Sequence, residues 1–431
     1  MNLYKKNTYI IGANHEAINS AILLASLDMP ITLIASQKNI NNTLRHYQFD
    51  RQMDVLWHLY VSQQKINLWY DKNSFFTEDY LNQDTIFWVF TDELSPDDLE
   101  KLCQYCQNPH SQIIFSGMDD IGNIDKIAKN IHSSWVYYLP FIFMKDGANF
   151  NSLFSPDLVL IGEKTKNSHL YCQILMFFIN HAYKTHLTDI KTAEFARSSI
   201  IGMLGARLSF INELARLADS EQISIKEIEN ILRKDKRIGK AYLSAGWGFG
   251  GRSLPKELVN LKEKFKENKV ETALIESIIN INEDQKELIF RKFWQYFHGF
   301  IDDKTVVIWG AGYRNEAGIT ANSAIHPLLK LLWSYNINTY VYSNNTTSEL
   351  EDMYGDNDLF TIIDHPYQKL KEVDALFIIN WSLVLRPDIH QLNQIRLPIF
   401  DAKNILSQED IRDYQGDYFG IGQQKIKFNH M

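Results

Sequence analysis

The chain has 431 residues, too many for one ordinary hydrophobic core, and so reads as two or three domains. Its 45% apolar and 22% charged residues exclude a disordered chain, and a net charge of −8 leaves no basic stripe for nucleic acid. Three cysteines in so long a chain point to a reducing compartment. MNLYKKNTYIIGA does not read as a charged-then-apolar leader but runs straight into a strand-like segment, so the chain is expected to be cytoplasmic.

In chain order, TYIIGA (8–13) reads as a buried strand ending in a glycine turn. EAINSAILLASL follows as a helix and PITLIAS as a second strand. DTIFWVFT, SQIIFSG and PDLVLIG read as further strands with helical segments between them, which implies a parallel, doubly wound sheet. The longest apolar stretch, 170–182, is too short for a bilayer and reads as a buried helix. From about 168 to 287 the strand signal disappears, and 193–219 and 270–290 carry apolar residues at helical spacing. At KTVVIWGAG a second strand–glycine–helix series begins, continuing through NTYVYS, ALFIINW and LPIFDA. The fold class is therefore α/β, with two Rossmann-like doubly wound sheets joined by an all-α middle. Its boundaries are read at 1–167, 168–300 and 301–431. No Pro-rich or Gly/Ser linker intervenes, so continuous helices should join the parts.

Cys103 and Cys106 form a C-x-x-C late in a helix, where the dipole does not favour a thiolate. Thirteen histidines form no H-x-x-x-H pattern, so a metal has little support.

The most informative stretch is 246–258, GWGFGGRSLPKEL. It resembles the active-site loop G-x-G-[FY]-G-G-x-C-[FLM]-P-K-D of the UDP-glucose/GDP-mannose dehydrogenase family. Gly248, Phe249, Gly250, Gly251, Pro255 and Lys256 match it, and Ser253 replaces the cysteine. Ala193, Glu194, Ser209, Phe210, Asn212 and Glu213 are similar to the family's central helix. Asp235, Arg237, Ile238 and Gly239 resemble its D-x-R-I-G, and Asn282 with Gln285 its N-x-x-Q. Further on, Trp381 stands at its T-x-W, and Asp401 with Asn404 at its D-x-R-N. The resemblance implies an NAD-binding domain, a helical dimerisation domain and a UDP-sugar-binding domain, in that order.

The resemblance further implies two successive hydride transfers to NAD. A sugar alcohol becomes an aldehyde, a cysteine thiolate captures it, and a thioester is hydrolysed to the carboxylate. A serine hydroxyl without an adjacent base is a poor substitute for that thiolate. By register, the family's catalytic Lys and Asn on the central helix fall on Arg197 and Ile201. Arginine keeps the charge but cannot exchange a proton, and isoleucine removes the hydrogen bond. The family's water-orienting Asp falls on Glu257, and an acidic residue of its N-terminal domain falls on Asp146. Phe249, Gly250, Gly251, Lys256, Arg237, Phe210, Asn212 and Arg314 occupy positions the resemblance assigns to substrate.

For the cofactor, the family's G-x-G-x-x-G is reduced to Gly12, with Asn14 and Ala17 replacing the other glycines. Asn tolerates left-handed angles, so Asn14 is expected to keep the turn. Ser36 stands where an acid should hold the ribose; Thr91 and Ser116 match family positions, and Lys403 stands for a cofactor-contacting Arg. NAD, implied by the resemblance, is thus expected to bind weakly. Gly310-Ala311-Gly312 opens the third part at the position the family uses for its UDP-sugar.

Three function readings follow. One is a nucleotide-sugar-binding pseudoenzyme, a homodimer through the central helix. Another is an NAD-dependent oxidoreductase with altered chemistry, for example one stopping at the aldehyde. The third is a non-enzymatic subunit that pairs with an active homologue through the central helix. Charge-preserving changes at Arg197, Asp146, Glu257, Arg314 and Lys403 favour a polar site still under constraint. The resemblance sets each reading in nucleotide-sugar metabolism feeding a surface polysaccharide.

Overall fold

A computed structural model describes residues 6–47, 50–75, 85–105, 108–142, 151–315, 317–381 and 386–425. The chain divides into two compact units, Met1–Ile200 and Ile201–Met431, and the division falls inside one 32-residue helix, Ile190–Glu221. No described helix is long and apolar enough to cross a membrane.

The first unit is built on an eight-stranded sheet. Its strands are β1 (Asn7–Ile11), β2 (Ile31–Ile34), β3 (Ile66–Trp69), β4 (Thr85–Phe90), β5 (Gln112–Ser116), β6 (Val136–Tyr138), β7 (Leu158–Glu163) and β8 (Lys184–Asp189). Their order is β3-β2-β1-β4-β5-β6-β7-β8. The first six run parallel, whereas β7 pairs antiparallel with β6 and carries β8 beside it. TIFWVF in β4 is buried at every position, as a strand covered on both faces must be. β8 differs: KTHLTD is half-buried or exposed throughout, so it carries no hydrophobic period and reads as non-strand. Gly162 lets the start of the long helix approach β7, because a Cβ there would lie 2.7 Å from Ile190 Cα.

The apolar stretch 170–182 resolves into a 3₁₀ turn, Ser168–Tyr171, and a helix, Gln173–His181, that buries Ile174, Leu175 and Phe178. Cys103 lies in the last turn of the helix Pro96–Tyr105, where burial pushes its thiol up; Cys106 lies outside the described residues.

The second unit holds the rest of the long helix, the helices Ile225–Lys234, Ser253–Glu267 and Ala273–Tyr296, and a second sheet. That sheet comprises β9 (Thr305–Trp309), β10 (Asn338–Tyr342), β11 (Phe360–Ile362), β12 (Ala375–Ile378), β13 (Ile399–Asp401), β14 (Tyr418–Phe419) and β15 (Gln424–Lys425). The order is β11-β10-β9-β12-β13-β14-β15, parallel except for the last pair. Gly202 and Gly205 on the long helix admit Leu261 and Leu258 of Ser253–Glu267, whose side chains would lie 2.8 and 3.1 Å from added Cβ atoms. Each sheet reverses its strand order once, between β1 and β4 and between β9 and β12. In open α/β sheets, ligands bind in the crevice beyond the strand ends at such points.

Candidate functional site

The glycine-rich loop lies wholly in the second unit, and three side-chain amides hold it. Asn212 Oδ1 accepts the Gly246 N–H at 2.9 Å, and Gln285 Nε2 donates to the Gly246 carbonyl at 2.7 Å. Asn282 closes a reciprocal pair with Phe249, accepting its N–H at 2.7 Å and donating to its carbonyl at 3.1 Å. Glu229, fully buried, accepts the Ala245 N–H at 2.8 Å. An irregular buried backbone needs such partners, because an unpaired buried N–H or C=O is costly. Trp247 and Phe249 anchor the loop from beneath, Phe249 against Leu258, Ile275 and Ile278.

The glycines are dictated by contact. Gly248 and Gly251 have φ of 97° and 81°. A Cβ would lie 2.7 Å from Asn282 Oδ1 at Gly248, 2.5 Å from the Asn322 carbonyl oxygen at Gly250, and 2.8 Å from the Tyr313 ring at Gly251. Asn322 also donates from Nδ2 to the Gly251 carbonyl at 2.9 Å, and Gly251 N–H donates to Ala321 O at 2.7 Å. Asn322 and Tyr313 had no local signal in the sequence.

Ser253 follows as the first residue of its helix and is half-buried. Among the described residues its hydroxyl hydrogen-bonds to none. Lys256 is exposed and Glu257 fully buried one turn on, while Ile201 is half-buried. Arg237 forms an ion pair with Asp235 at 2.6 Å, with its side chain 89% exposed. Arg207 grips the same turn, donating to the Ile238 and Gly239 carbonyls at 2.8 and 3.3 Å.

At the β9/β12 switch point, Gly310 turns the chain with φ of 81°, and Asn380 packs against it. Asn380 is buried. Its Nδ2 donates to the Gly312 carbonyl and, at 3.0 Å, to the Arg314 carbonyl. Arg314 donates from Nε to Tyr313 Oη at 3.2 Å and from Nη1 to Asn315 O at 3.4 Å. Among the described residues, three buried polar atoms here have no protein partner: Arg314 Nη2, Asn380 Oδ1 and Trp381 Nε1. Lys403 lies just beyond β13, with its Cδ 3.1 Å from where a Gly246 Cβ would stand. Burial, then the neighbouring Arg314 charge, pushes the Lys403 ammonium down to about 8. Asp401 and Asn404 fix this turn: buried Asp401 accepts the Lys403 and Leu406 N–H groups, and Asn404 bonds both ways with the Ile421 backbone.

The first unit's candidate residues are engaged differently. Gly12 closes β1 with φ of 140° and lies against Phe90. Asn14 does not adopt the left-handed angles expected of it. At φ −67° and ψ 172° it is extended and caps the helix His15–Ser26, accepting the Ala17 N–H at 2.8 Å. An Asn side chain is a strong N-cap, and that preference decides the conformation. Ser36 caps the next helix by accepting Asn39 N–H at 3.2 Å. Thr91 donates to Ser116 O at 3.2 Å. The Ser116 hydroxyl accepts Trp88 Nε1–H at 2.9 Å and donates to Leu139 O at 2.6 Å. Buried Arg197 donates to Gly117 O at 2.8 Å and Asp119 O at 2.9 Å. Asp146 lies outside the described residues.

Two α/β units of this topology joined through a long helix have the fold of the nucleotide-sugar dehydrogenases. The chain is similar to a UDP-glucose dehydrogenase from Pyrobaculum islandicum (TM-score 0.79, 16% identity, 98% of this chain and 99% of that one). It is also similar to a UDP-D-ManNAc dehydrogenase from Pyrococcus horikoshii (TM-score 0.77, 15% identity, 97% and 99%). The family model "UDP-glucose/GDP-mannose dehydrogenase family, central domain" matches residues 191–284. Among sequences, UDP-glucose 6-dehydrogenases of Pseudomonas aeruginosa and Rickettsia bellii are 24% and 26% identical over 66% and 65% of this chain. The matched stretch spans just under two thirds of those relatives' own length, 64% and 66%.

Proposed function

We propose that this chain binds a nucleotide sugar of the UDP-hexose type in its second unit, without running the four-electron oxidation of a sugar alcohol to a carboxylate. The observation that carries the reading is the set of unpartnered buried atoms at the β9/β12 switch point: Arg314 Nη2, Asn380 Oδ1 and Trp381 Nε1. Buried polar groups left unpaired are costly, and a polar ligand that supplied both a donor and acceptors would relieve the cost. Arg314 and Lys403 supply positive charge for the diphosphate, and the loop Gly246–Gly251 supplies a rigid floor.

What supports loss of the oxidation is that the Ser253 hydroxyl has no hydrogen-bond partner among the described residues and that Arg197 is committed to two backbone carbonyls. The retained loop is what favours the second reading, an oxidoreductase stopping at the aldehyde; detection of a UDP-hexose aldehyde after incubation with NAD would establish it. The relatives' names support a role in nucleotide-sugar metabolism, and a role in surface-polysaccharide synthesis is part of the proposal.

We assign the long helix to self-association. Met203, Phe210 and Leu217, seven residues apart, are 64%, 54% and 56% exposed, an apolar stripe suited to a second copy of the same helix. Phe210 then serves the interface and not the substrate. Sedimentation of Phe210→Lys tests this: a monomer where the parent is a dimer supports it, and an unchanged dimer rejects it. For the ligand site, UDP should raise the melting temperature of the parent and not of Arg314→Ala. Equal shifts in both would place the site elsewhere.

A further inference from the structure

The fold family implies NAD at the β1/β4 switch point of the first unit, and the residues there do not fit it. A dinucleotide pyrophosphate needs backbone N–H groups at a helix N-terminus, approached across glycines that leave room for it. Asn14 stands at the glycine of closest approach, and its side-chain Oδ1 already takes the Ala17 N–H at 2.8 Å. The next residue, His15, is 3% exposed and stacks on Tyr47 with ring centroids 4.0 Å apart, so the first turn is covered from its side as well.

The far end of the same crevice is also tied internally. The Thr91 and Ser116 hydroxyls are committed to Ser116 O and Leu139 O, and Met118 N–H donates to Asp92 Oδ1 at 3.0 Å. Arg197 holds the carbonyls of Gly117 and Asp119. At the ribose position Ser36 offers a hydroxyl that caps its own helix, where an acid would be needed.

We infer that the first unit is a self-capped Rossmann domain, in which the Asn14 side chain occupies the pyrophosphate position and excludes NAD. The domain serves as a scaffold that the long helix clamps through Glu194 and Arg197. The inference rests on the first unit alone and does not require the ligand proposed for the second.

The test is calorimetric titration of the full chain with NAD, beside Asn14→Gly. Glycine is itself an acceptable N-cap, so that variant should fold; a thermal melt checks it. The parent is expected to show no saturable NAD binding at millimolar concentration. Asn14→Gly is expected to bind at least about tenfold more tightly than the parent's limit. Micromolar NAD binding by the parent would overturn the inference, and so would a folded Asn14→Gly that binds no better than the parent. A UDP titration of the same sample reports separately on the second unit: its failure would reject that proposal and leave this one standing.

Discussion

Glu194 and Arg197, one helical turn apart on the long helix, grip the same loop by opposite polarities. Glu194 accepts the Gly122 and Ile124 N–H groups at 3.0 and 2.8 Å, at the start of the helix Asn123–Asn130. Arg197 donates to the Gly117 and Asp119 carbonyls at 2.8 and 2.9 Å. Gly122 caps that helix without a side chain of its own, so Glu194 supplies the cap from elsewhere in the chain. Arg197, which the sequence resemblance aligns with a catalytic lysine, is one half of this clamp.

This clamp makes the first unit pH-sensitive. Burial raises the Glu194 carboxyl to about 7 from 4.5, against the pull of the backbone N–H bonds. Between those values the folded state binds more protons than the unfolded state, so stability falls as pH rises through that window. The expected loss from pH 5 to pH 8 is on the order of 2 kcal/mol. Denaturant unfolding at the two pH values measures it, and Glu194→Gln should flatten the dependence. An unchanged slope in that variant would assign the effect to another group.

The glycine loop should depend on Asn282 for its shape. Asn282→Ala leaves the Phe249 N–H and C=O without their partners, at a cost of about 2–4 kcal/mol for the two groups. Thermal unfolding should show the loss, and UDP-glucose affinity should fall with it. Asn282→Asp keeps only the acceptor and should fall between. A neutral Asn282→Ala would mean the loop is held by Asn212 and Gln285 alone.

Ser253→Cys alone is expected to yield no uronate from UDP-glucose and NAD, by mass spectrometry of the nucleotide fraction. A thiolate restores the nucleophile, but Arg197 stays bonded to two carbonyls and Ile201 offers no hydrogen bond. Adding Arg197→Lys and Ile201→Asn restores the family's residue types but not a dinucleotide site, so the triple variant should stay inactive until Asn14→Gly is included. Uronate from the single variant would show that only the nucleophile was missing.

Anion binding in the second unit should weaken as pH rises from 7 to 9. Lys403 is charged below about 8, where burial and Arg314 have lowered its ammonium, and it loses that charge above. A lowered lysine means the folded state binds fewer protons than the unfolded state between about 8 and 10.5, so on its own it makes the fold more stable as pH rises there. Affinity and stability should therefore move in opposite directions. Lys403→Met should remove the pH dependence of UDP affinity; if it persists, Lys403 does not face the ligand.

Much of this was legible in the sequence, for local reasons. TIFWVF declares itself as a strand because both faces are buried, and the loop, the helix and N-x-x-Q keep fixed spacings that one turn or one helix face explains. β3, β6 and β8 were not read as strands: they are three to six residues long, and β8 is polar and exposed. Asn14 was read for its backbone tolerance when its side chain was the decisive part. Asn322, Tyr313 and Asn380 meet the loop or the switch point from separate segments, a relation of the tertiary fold that no spacing encodes.

The most direct test of the account is calorimetric titration of the full chain with UDP-glucose. One saturable site per chain, weakened by Arg314→Ala with the fold intact, is the predicted result. A flat trace at millimolar ligand would contradict it, and the crevice between β9 and β12 would then have no claim to a nucleotide sugar.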